Sequence, residues 1–147
     1  MPKKVRPIPK GFTTVTPSLT QENAAATIEF CKKAFGAKTR MRLDGPGGKV
    51  MHAEIEIGNS ILMFTDAGRE PALTSDLFLY VPDVDKTFAK AVKAGGTVMM
   101  APQDMFWGDR FGRVQDPAGN KWGIATHIED VTPREIRKRV AAMGSGG

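Results

Sequence analysis

Two stretches of the chain show the same pattern of apolar and polar positions. Residues 12–37 and residues 77–98 each contain an apolar strand, a short turn, an amphipathic helix and a glycine that ends it. Thr16 precedes Gly36 by twenty positions, and Asp76 precedes Gly96 by the same distance. Each helix is followed by alternating strands, so the pattern indicates a duplicated unit. Two such units can set their sheets around a cavity, which is typical of a binding protein or an enzyme.

The pattern predicts the order βαβββ twice, followed by a terminal helix. Asn23 and Asp83 are the expected N-caps of the two helices, and Thr132 with Glu135 forms a capping box for the third. Consecutive strands of a meander pair antiparallel, so the expected fold class is α+β, with a cavity between two antiparallel sheets. The predicted strands are Phe12–Leu19, 39–43, 51–57 and 60–65, then 77–81, about 97–100, 111–115 and 121–126.

We expect one folded domain with four parts. A basic flexible tail covers residues 1–10, and the two modules cover residues 11–66 and 67–128. A helix with a frayed end covers residues 129–147.

Charge and cysteine content narrow the classes of function. The net charge is +5, but residues 11–128 carry 13 basic and 13 acidic residues, so the excess lies in the two ends. A neutral body argues against nucleic-acid binding. The chain shows no long apolar segment and no apolar signal core, so no membrane contact is expected. Its only cysteine, Cys31, forms no internal disulfide, and a cytoplasmic location is therefore expected.

Several segments resemble a known superfamily. TPSL, IEFCKKAFGA, LYVPDVD, GGTV, WGDRFGRVQDPAGNKWGIATH and IEDVTPREI resemble the vicinal oxygen chelate superfamily, which contains glyoxalase I, extradiol dioxygenases and bleomycin-resistance proteins. Within that superfamily the chain looks most like the PhnB-like branch. The resemblance runs from about Phe12 to Ile136 and implies paired βαβββ modules. Because the superfamily is functionally diverse, the activity has to be argued from the site.

The resemblance also implies where a metal would bind. In metal-using relatives, His and Glu side chains on the first and fourth strands of each half hold a divalent ion. The matching positions here are Thr16, Met63, Asp76 and Gly123. A hydroxyl, a thioether, one carboxylate and a glycine do not supply the anionic and imidazole ligands that such an ion needs. We therefore expect no metal and no other cofactor, with Zn, Ni, Mn or Fe as the alternative.

His52 and Glu54 project from one face of the strand over residues 51–57, about 7 Å apart. They are the candidate catalytic residues, because a histidine beside a carboxylate can transfer protons near neutral pH. The same alternation is typical of a solvated polar row on a half-exposed strand. Both interpretations fit the sequence.

The second half supplies further candidate ligand-binding residues. Phe78 and Tyr80 share strand parity with Asp76 and should enter the same space, and Gly123 would leave room for an organic ligand. Asp109 and Arg110 lie in a segment that looks like a loop, where Arg110 could hold a ligand anion or pair with an acidic residue. The candidate set therefore consists of Thr16, Met63, Asp76, Phe78, Tyr80, Trp107, Asp109, Arg110 and Gly123.

Three functions fit these features to different degrees. The first is metal-independent binding of a small organic molecule, in the manner of bleomycin-resistance-type proteins. The second is a lyase, isomerase or dioxygenase-type enzyme with nonstandard ligands at His52, Glu54 and Asp76. The third, contact with nucleic acid through the basic ends, has the least support. The expected partners are a small-molecule ligand and a second copy of the chain in a homodimer.

Overall fold

A computed structural model describes residues 4–145 of the chain. Two βαβββ modules follow one another and are joined to a terminal helix. In chain order the elements are β1 (Ser18–Gln21), α1 (Ala24–Phe35), β2 (Lys38–Asp44), β3 (Val50–Ile57), β4 (Ser60–Asp66), β5 (Asp76–Tyr80), α2 (Val84–Lys93), β6 (Thr97–Asp104), β7 (Asp109–Gln115), β8 (Lys121–His127) and α3 (Pro133–Ser145). A short 3₁₀ turn, Pro46–Gly48, joins β2 to β3.

Each module forms one four-stranded sheet. Sheet A has the order β1-β4-β3-β2, and sheet B repeats it as β5-β8-β7-β6. The first strand of each module runs parallel to the fourth, whereas the remaining neighbours are antiparallel. The predicted α+β class with duplicated modules is confirmed. The sheets are mixed rather than purely antiparallel, because the helix carries the chain back to the same end of the sheet before the meander begins.

Local sequence explains where the first two helices begin and end. The side chain of Asn23 accepts a hydrogen bond from the amide of Ala26, and that of Asp83 accepts one from Lys86, as predicted for N-caps. Gly36 ends α1 in the left-handed conformation that glycine adopts most easily.

The prediction of the first strand was wrong in its position. Residues 12–19 alternate, yet β1 begins only at Ser18, and residues 12–17 form an irregular segment with a bend at residues 14–15. Thr16 donates a hydrogen bond from its hydroxyl to the carbonyl of Thr13. Hydroxyl side chains satisfy nearby backbone groups in this way and compete with the ladder of a sheet. The alternation of residues 12–17 therefore belongs to a loop whose hydroxyl side chains bond to its own backbone, and not to a strand.

The two helices lie between the modules. α1 packs on sheet A, α2 packs on sheet B, and the helices contact each other. Trp122 of β8 is fully buried, with its ring centroid 5.0 Å from that of Phe35 and 6.4 Å from that of Phe30, both in α1. Cys31 is buried in the same core. One continuous core therefore joins both modules, and each sheet keeps a second face that carries no helix.

The ends of the chain are only partly described. Residues 4–10 are exposed, and Lys10 accepts a hydrogen bond from Arg40 through its backbone carbonyl. Residues 1–3 of the predicted basic tail and residues 146–147 of the predicted frayed end lie outside the described residues. Within residues 4–145, the structure contains no helix long and apolar enough to span a membrane.

Candidate functional site

The face of sheet B that carries no helix gathers most of the predicted ligand-binding residues. We call it the open face of sheet B. Strand register places Phe78 beside Gly123 and Tyr80 beside Ala125, and Asp109 lies opposite His127. Side chains of paired residues share a face of the sheet. Of the predicted set, the open face of sheet B brings together Asp76, Phe78, Tyr80, Trp107, Asp109 and Gly123.

Four aromatic rings form the floor of this surface. Phe78 stacks on Phe111 with ring centroids 5.2 Å apart and an interplanar angle of 5°, and it also contacts Tyr80 at 5.0 Å. Trp107, in the connection between β6 and β7, contacts Phe111 at 5.7 Å. Phe78 is 48% exposed and Tyr80 is 63% exposed, so the rings are open to a ligand. We call these four residues the aromatic face.

A buried carboxylate holds the aromatic face in place. Asp109 is fully buried. Its Oδ2 accepts hydrogen bonds from the Tyr80 hydroxyl at 2.8 Å and from Trp107 Nε1 at 2.7 Å, and its Oδ1 lies 2.8 Å from Nδ1 of His127. These three hydrogen bonds compensate the Asp109 carboxylate for the hydration that it loses on burial. Asp109 therefore orients both polar rings of the site.

The protonation of His127 is coupled to this carboxylate. Its Nε2 lies 2.7 Å from Oδ1 of Asp130, so both ring nitrogens face carboxylates. Carboxylates only accept hydrogen bonds, and the imidazolium form satisfies both. The hydrogen bond to Asp109 and then that to Asp130 raise the pKa of His127 above its ordinary value. Burial alone raises the pKa of Asp109, but the bonds from His127, Tyr80 and Trp107 hold it below its ordinary value.

The structure corrects the role predicted for Gly123. The space above its Cα is filled, because an added Cβ would lie 2.9 Å from Cε2 of Phe111 and 3.1 Å from Cδ2 of Phe78. Gly123 thus leaves room for the two stacked rings rather than for a ligand. Gly123 contributes to the site because its missing side chain lets the rings of Phe78 and Phe111 stack above it.

Arg110 and Asp76 are held by ion pairs. Arg110 lies in β7 rather than in a loop, and its guanidinium contacts Asp85 of α2 at 2.9 Å and Asp104 at 3.1 Å. Neighbouring strand residues point to opposite faces, so Arg110 lies on the helix side of sheet B while Asp109 lies on the open face. Asp76 pairs with Arg113 at 3.1 Å on the open face. The ion-pair alternative for Arg110 is therefore the one that the geometry supports.

The face of sheet A that carries no helix holds the predicted acid–base pair. His52 Nε2 lies 2.9 Å from Oε2 of Glu54, and Arg40 lies 3.7 Å from the same carboxylate. Met63 lies directly opposite Glu54 across the β3–β4 ladder. Among the described residues, no hydrogen bond or ring contact joins this face to the open face of sheet B. Thr16 lies outside both faces, in the turn before β1.

The donor set does not fit the metal site that the resemblance implies. Two of the four predicted positions, Thr16 and Asp76, were wrong. Strand register pairs Ser18 with Met63 and Phe78 with Gly123, so these four residues occupy matching heights on the first and fourth strands. They offer one hydroxyl and one thioether, and such a set does not hold a divalent ion. Within residues 4–145, no three His, Cys, Asp or Glu side chains gather in a way that could bind a metal. His52 and Glu54 lie on sheet A, apart from Asp76 on sheet B.

Sequence reasoning missed two members of the site, Phe111 and His127. Phe111 begins a predicted strand next to the predicted loop that holds Arg110, and His127 follows the last predicted strand, where the start of a helix or an interface is expected. Both follow from parity once the strand bounds are known, because Phe111 shares parity with Asp109, and His127 shares parity with Gly123. The interpretation of residues 106–110 as a loop concealed this signal.

Comparison with known proteins gives a consistent family. The model of the Glyoxalase/Bleomycin resistance protein/Dioxygenase superfamily matches residues 13–124. An uncharacterized protein of Mycobacterium bovis is 35% identical over 144 residues, covering 90% of this chain and 95% of that protein. A protein of Mycobacterium tuberculosis strain H37Rv, also uncharacterized, is 35% identical and covers 90% of this chain and 85% of its own length.

Solved structures share the fold. TioX from Micromonospora sp. ML1 superimposes with a TM-score of 0.69 at 24% identity, covering 79% of this chain and 99% of TioX. A glyoxalase-related enzyme from Fulvimarina pelagi superimposes with a TM-score of 0.63 at 18% identity, covering 78% of this chain and 87% of that enzyme. At these identities the likeness shows the fold alone.

Proposed function

Because the chain belongs to the glyoxalase/bleomycin resistance protein/dioxygenase superfamily, we propose that it binds a small planar organic molecule without a metal at the superfamily's usual positions. The observation that carries this proposal is the aromatic face, four partly exposed rings fixed around the buried Asp109. The motifs that carry the PhnB-like resemblance make that branch our expectation within the superfamily.

The chemistry of the aromatic face favours a flat, largely apolar ligand. Aromatic rings gain most from ligands that stack on them or meet them edge to face. Tyr80 and Trp107 donate their polar hydrogens to Asp109, so their ring faces, rather than their polar ends, meet a ligand. Rings held in this way need little ordering when the ligand binds, which improves affinity.

The proposal includes a homodimer. The aromatic face covers only one side of a ligand, whereas binding sites for small molecules usually enclose most of the ligand surface. The other face without a helix, on sheet A, exposes Met41 and Leu43 beside Glu54 and His52. In a two-fold arrangement, sheet A of each copy can cover sheet B of the other, which generates two equal sites.

A second candidate function rests on the contact between His52 and Glu54. In the proposed dimer this pair would lie opposite the partner copy's aromatic face. A carboxylate that orients a histidine suits proton abstraction next to a carbonyl, which is the chemistry of an isomerase or lyase. The dimer and the ligand would then be the same as in the first proposal, with catalysis added.

Fluorescence of Trp107 tests the binding proposal with 2-naphthol, a neutral planar probe. We expect saturable quenching, because the probe stacks near the half-buried indole of Trp107 while Trp122 stays fully buried. Trp107→Leu should remove the quenching, and Tyr80→Ala should weaken binding. Phe12→Leu, which changes an aromatic residue near Arg40, is the matched control. Equal binding by the native protein, Tyr80→Ala and Phe12→Leu would refute the site, and a purely monomeric protein in light scattering would refute the dimer.

A further inference from the structure

A cavity lies between the two modules, on the side of β5 that faces the helices. It measures about 580 Å³, within the range of sites for small organic molecules. The first module contributes the end of α1 and the turn between β3 and β4, and the second contributes β5 and one face of α2. We call it the inter-module cleft. Phe78 and Tyr80 also line it at the edge of β5, whereas Trp107 and Phe111 of the aromatic face do not.

The walls of the inter-module cleft are mostly apolar. Phe35 and Ile57 line it from the first module, and Leu77, Leu79 and Val81 line it from the second. All five are half-buried and pack against the core, so the cleft is a gap in an otherwise closed apolar junction. Apolar surface of this kind gains free energy when a ligand removes it from water. The body of a ligand here should therefore be apolar.

One positively charged side chain lines the cleft. Among the described residues, Lys90 is the only charged one that lines it, and Thr87, three positions earlier on α2, lies on the same face of the helix. Lys90 forms no ion pair with any residue in the described part of the chain. The wall opposite offers the polar side chains of Asn59 and Ser60. An ammonium beside an apolar cleft recognises an anionic group attached to an apolar body.

We propose that the inter-module cleft is a second binding site, which shares only Phe78 and Tyr80 with the aromatic face, for an apolar organic anion such as a medium-chain carboxylate. The ligand's chain lies among Leu77, Leu79 and Phe35, and its carboxylate meets Lys90 and the hydroxyl of Thr87. This site needs neither the proposed dimer nor Trp107 and Phe111, so either assignment can fail without the other.

Titration of isotope-labelled protein with decanoate, followed by amide NMR shifts, tests this site. We expect saturable shifts at Thr87, Lys90, Asn59 and Ser60. Lys90→Gln should weaken decanoate binding roughly three- to fivefold, the effect of losing one exposed ion pair. Decanol should bind the native protein and the Lys90→Gln variant equally, because it lacks the charge.

Three variants distinguish decanoate in the cleft from nonspecific attraction to α2 and from binding at the aromatic face. Lys93→Gln removes a charge one turn away on α2, outside the cleft, and should leave decanoate affinity unchanged. Ser60→Trp places a large ring in the mouth and should abolish the shifts, while Trp107→Leu should leave them intact. Any one of three results would overturn the proposal. Lys93→Gln could weaken decanoate binding as much as Lys90→Gln does, the shifts could be confined to Tyr80 and Phe111, or binding could fail to saturate at millimolar decanoate.

Discussion

The hydroxyl of Tyr80 and the carboxylate of Asp109 lie 2.8 Å apart, although β8 separates their strands in sheet B. The bond passes over Ala125, which lies between Tyr80 and Phe111 in the register and is fully buried. A small residue at this position lets the two side chains meet. This link across three strands joins the edge of sheet B to its interior, and it accounts for the fixed orientation of the aromatic face.

Removing the Asp109 carboxylate should destabilise the protein markedly. Asp109→Ala leaves three hydrogen-bond donors without their acceptor and empties a buried position, so we expect a loss of about 2–4 kcal/mol in the free energy of unfolding. Asp109→Asn keeps the shape and should cost less. Urea denaturation measures both. Asp76→Asn is the control, since its ion pair with Arg113 is exposed and should contribute less than about 1 kcal/mol. Similar losses for Asp76 and Asp109 would contradict the role given to Asp109.

Stability should depend on pH through His127. The pKa of His127 is higher in the folded protein than its ordinary 6.5. Its contribution to the free energy of unfolding is therefore fully present below pH 6.5 and is lost as pH rises through the folded pKa. Asp109 has a lowered pKa, so its contribution is present above its ordinary 3.8 and is lost as pH falls further. As pH rises above the ordinary 6.5 of His127 and through its raised folded pKa, the native protein should lose stability that a His127→Gln variant does not lose. An identical decline in both proteins would show that another group titrates.

Adding one methyl group at Gly123 should disturb the aromatic face. In Gly123→Ala the new Cβ would come within 3.1 Å of ring carbons of Phe111 and Phe78, so the stacked pair has to move. We expect a loss of about 1–3 kcal/mol in the free energy of unfolding, together with weaker binding of 2-naphthol. Gly68→Ala is the control, since open space surrounds that position and its φ is not positive. An unchanged free energy of unfolding and unchanged 2-naphthol binding would mean that the two rings can move aside at no cost.

Much of the architecture follows from sequence pattern because its causes are local. Alternation placed β3 and β4 to within one residue, and cap residues placed the first two helices. The resemblance supplied the pairing of the modules. The position of β1 could not be predicted, because its hydroxyl-rich approach imitates a strand while its side chains bond to their own loop, as Thr16 does.

The site was predictable as a set of residues but not as a geometry. Parity alone grouped Asp76, Phe78 and Tyr80, as the structure does. Whether Gly123 leaves a void depends on rings from β5 and β7, and the partner of Arg110 lies on α2, far away in sequence. Such contacts are decided by tertiary packing, and a single sequence does not encode them in any local pattern. Parity also failed at Asp109 and Arg110, since the glycine and aromatic residues of their segment imitate a loop.

Arg110 should be dispensable for ligand binding. Its guanidinium is held by Asp85 and Asp104 on the helix side of sheet B, away from the aromatic face. Arg110→Gln should therefore leave the affinity for 2-naphthol unchanged and reduce stability by no more than about 1 kcal/mol, since these ion pairs are exposed. Asp85→Asn should reproduce the small stability change. Loss of 2-naphthol binding in Arg110→Gln alone would restore Arg110 as a ligand-binding residue.

Metal content tests most directly whether the binding site works without a divalent ion. The first- and fourth-strand residues Ser18, Met63, Phe78 and Gly123 provide no set of donors for a divalent ion. We therefore expect well below one equivalent of metal per chain, measured by mass spectrometry on untagged protein after soaking with Mn, Fe, Co, Ni and Zn salts. Dialysis against a chelator should leave the melting temperature unchanged, because no bound ion would be lost. Near-stoichiometric metal that disappears in His52→Ala would instead mean that residues from two copies assemble a displaced site, and it would favour the enzyme. Glu56→Gln, which changes a neighbouring carboxylate on β3, is the matched control for nonspecific binding.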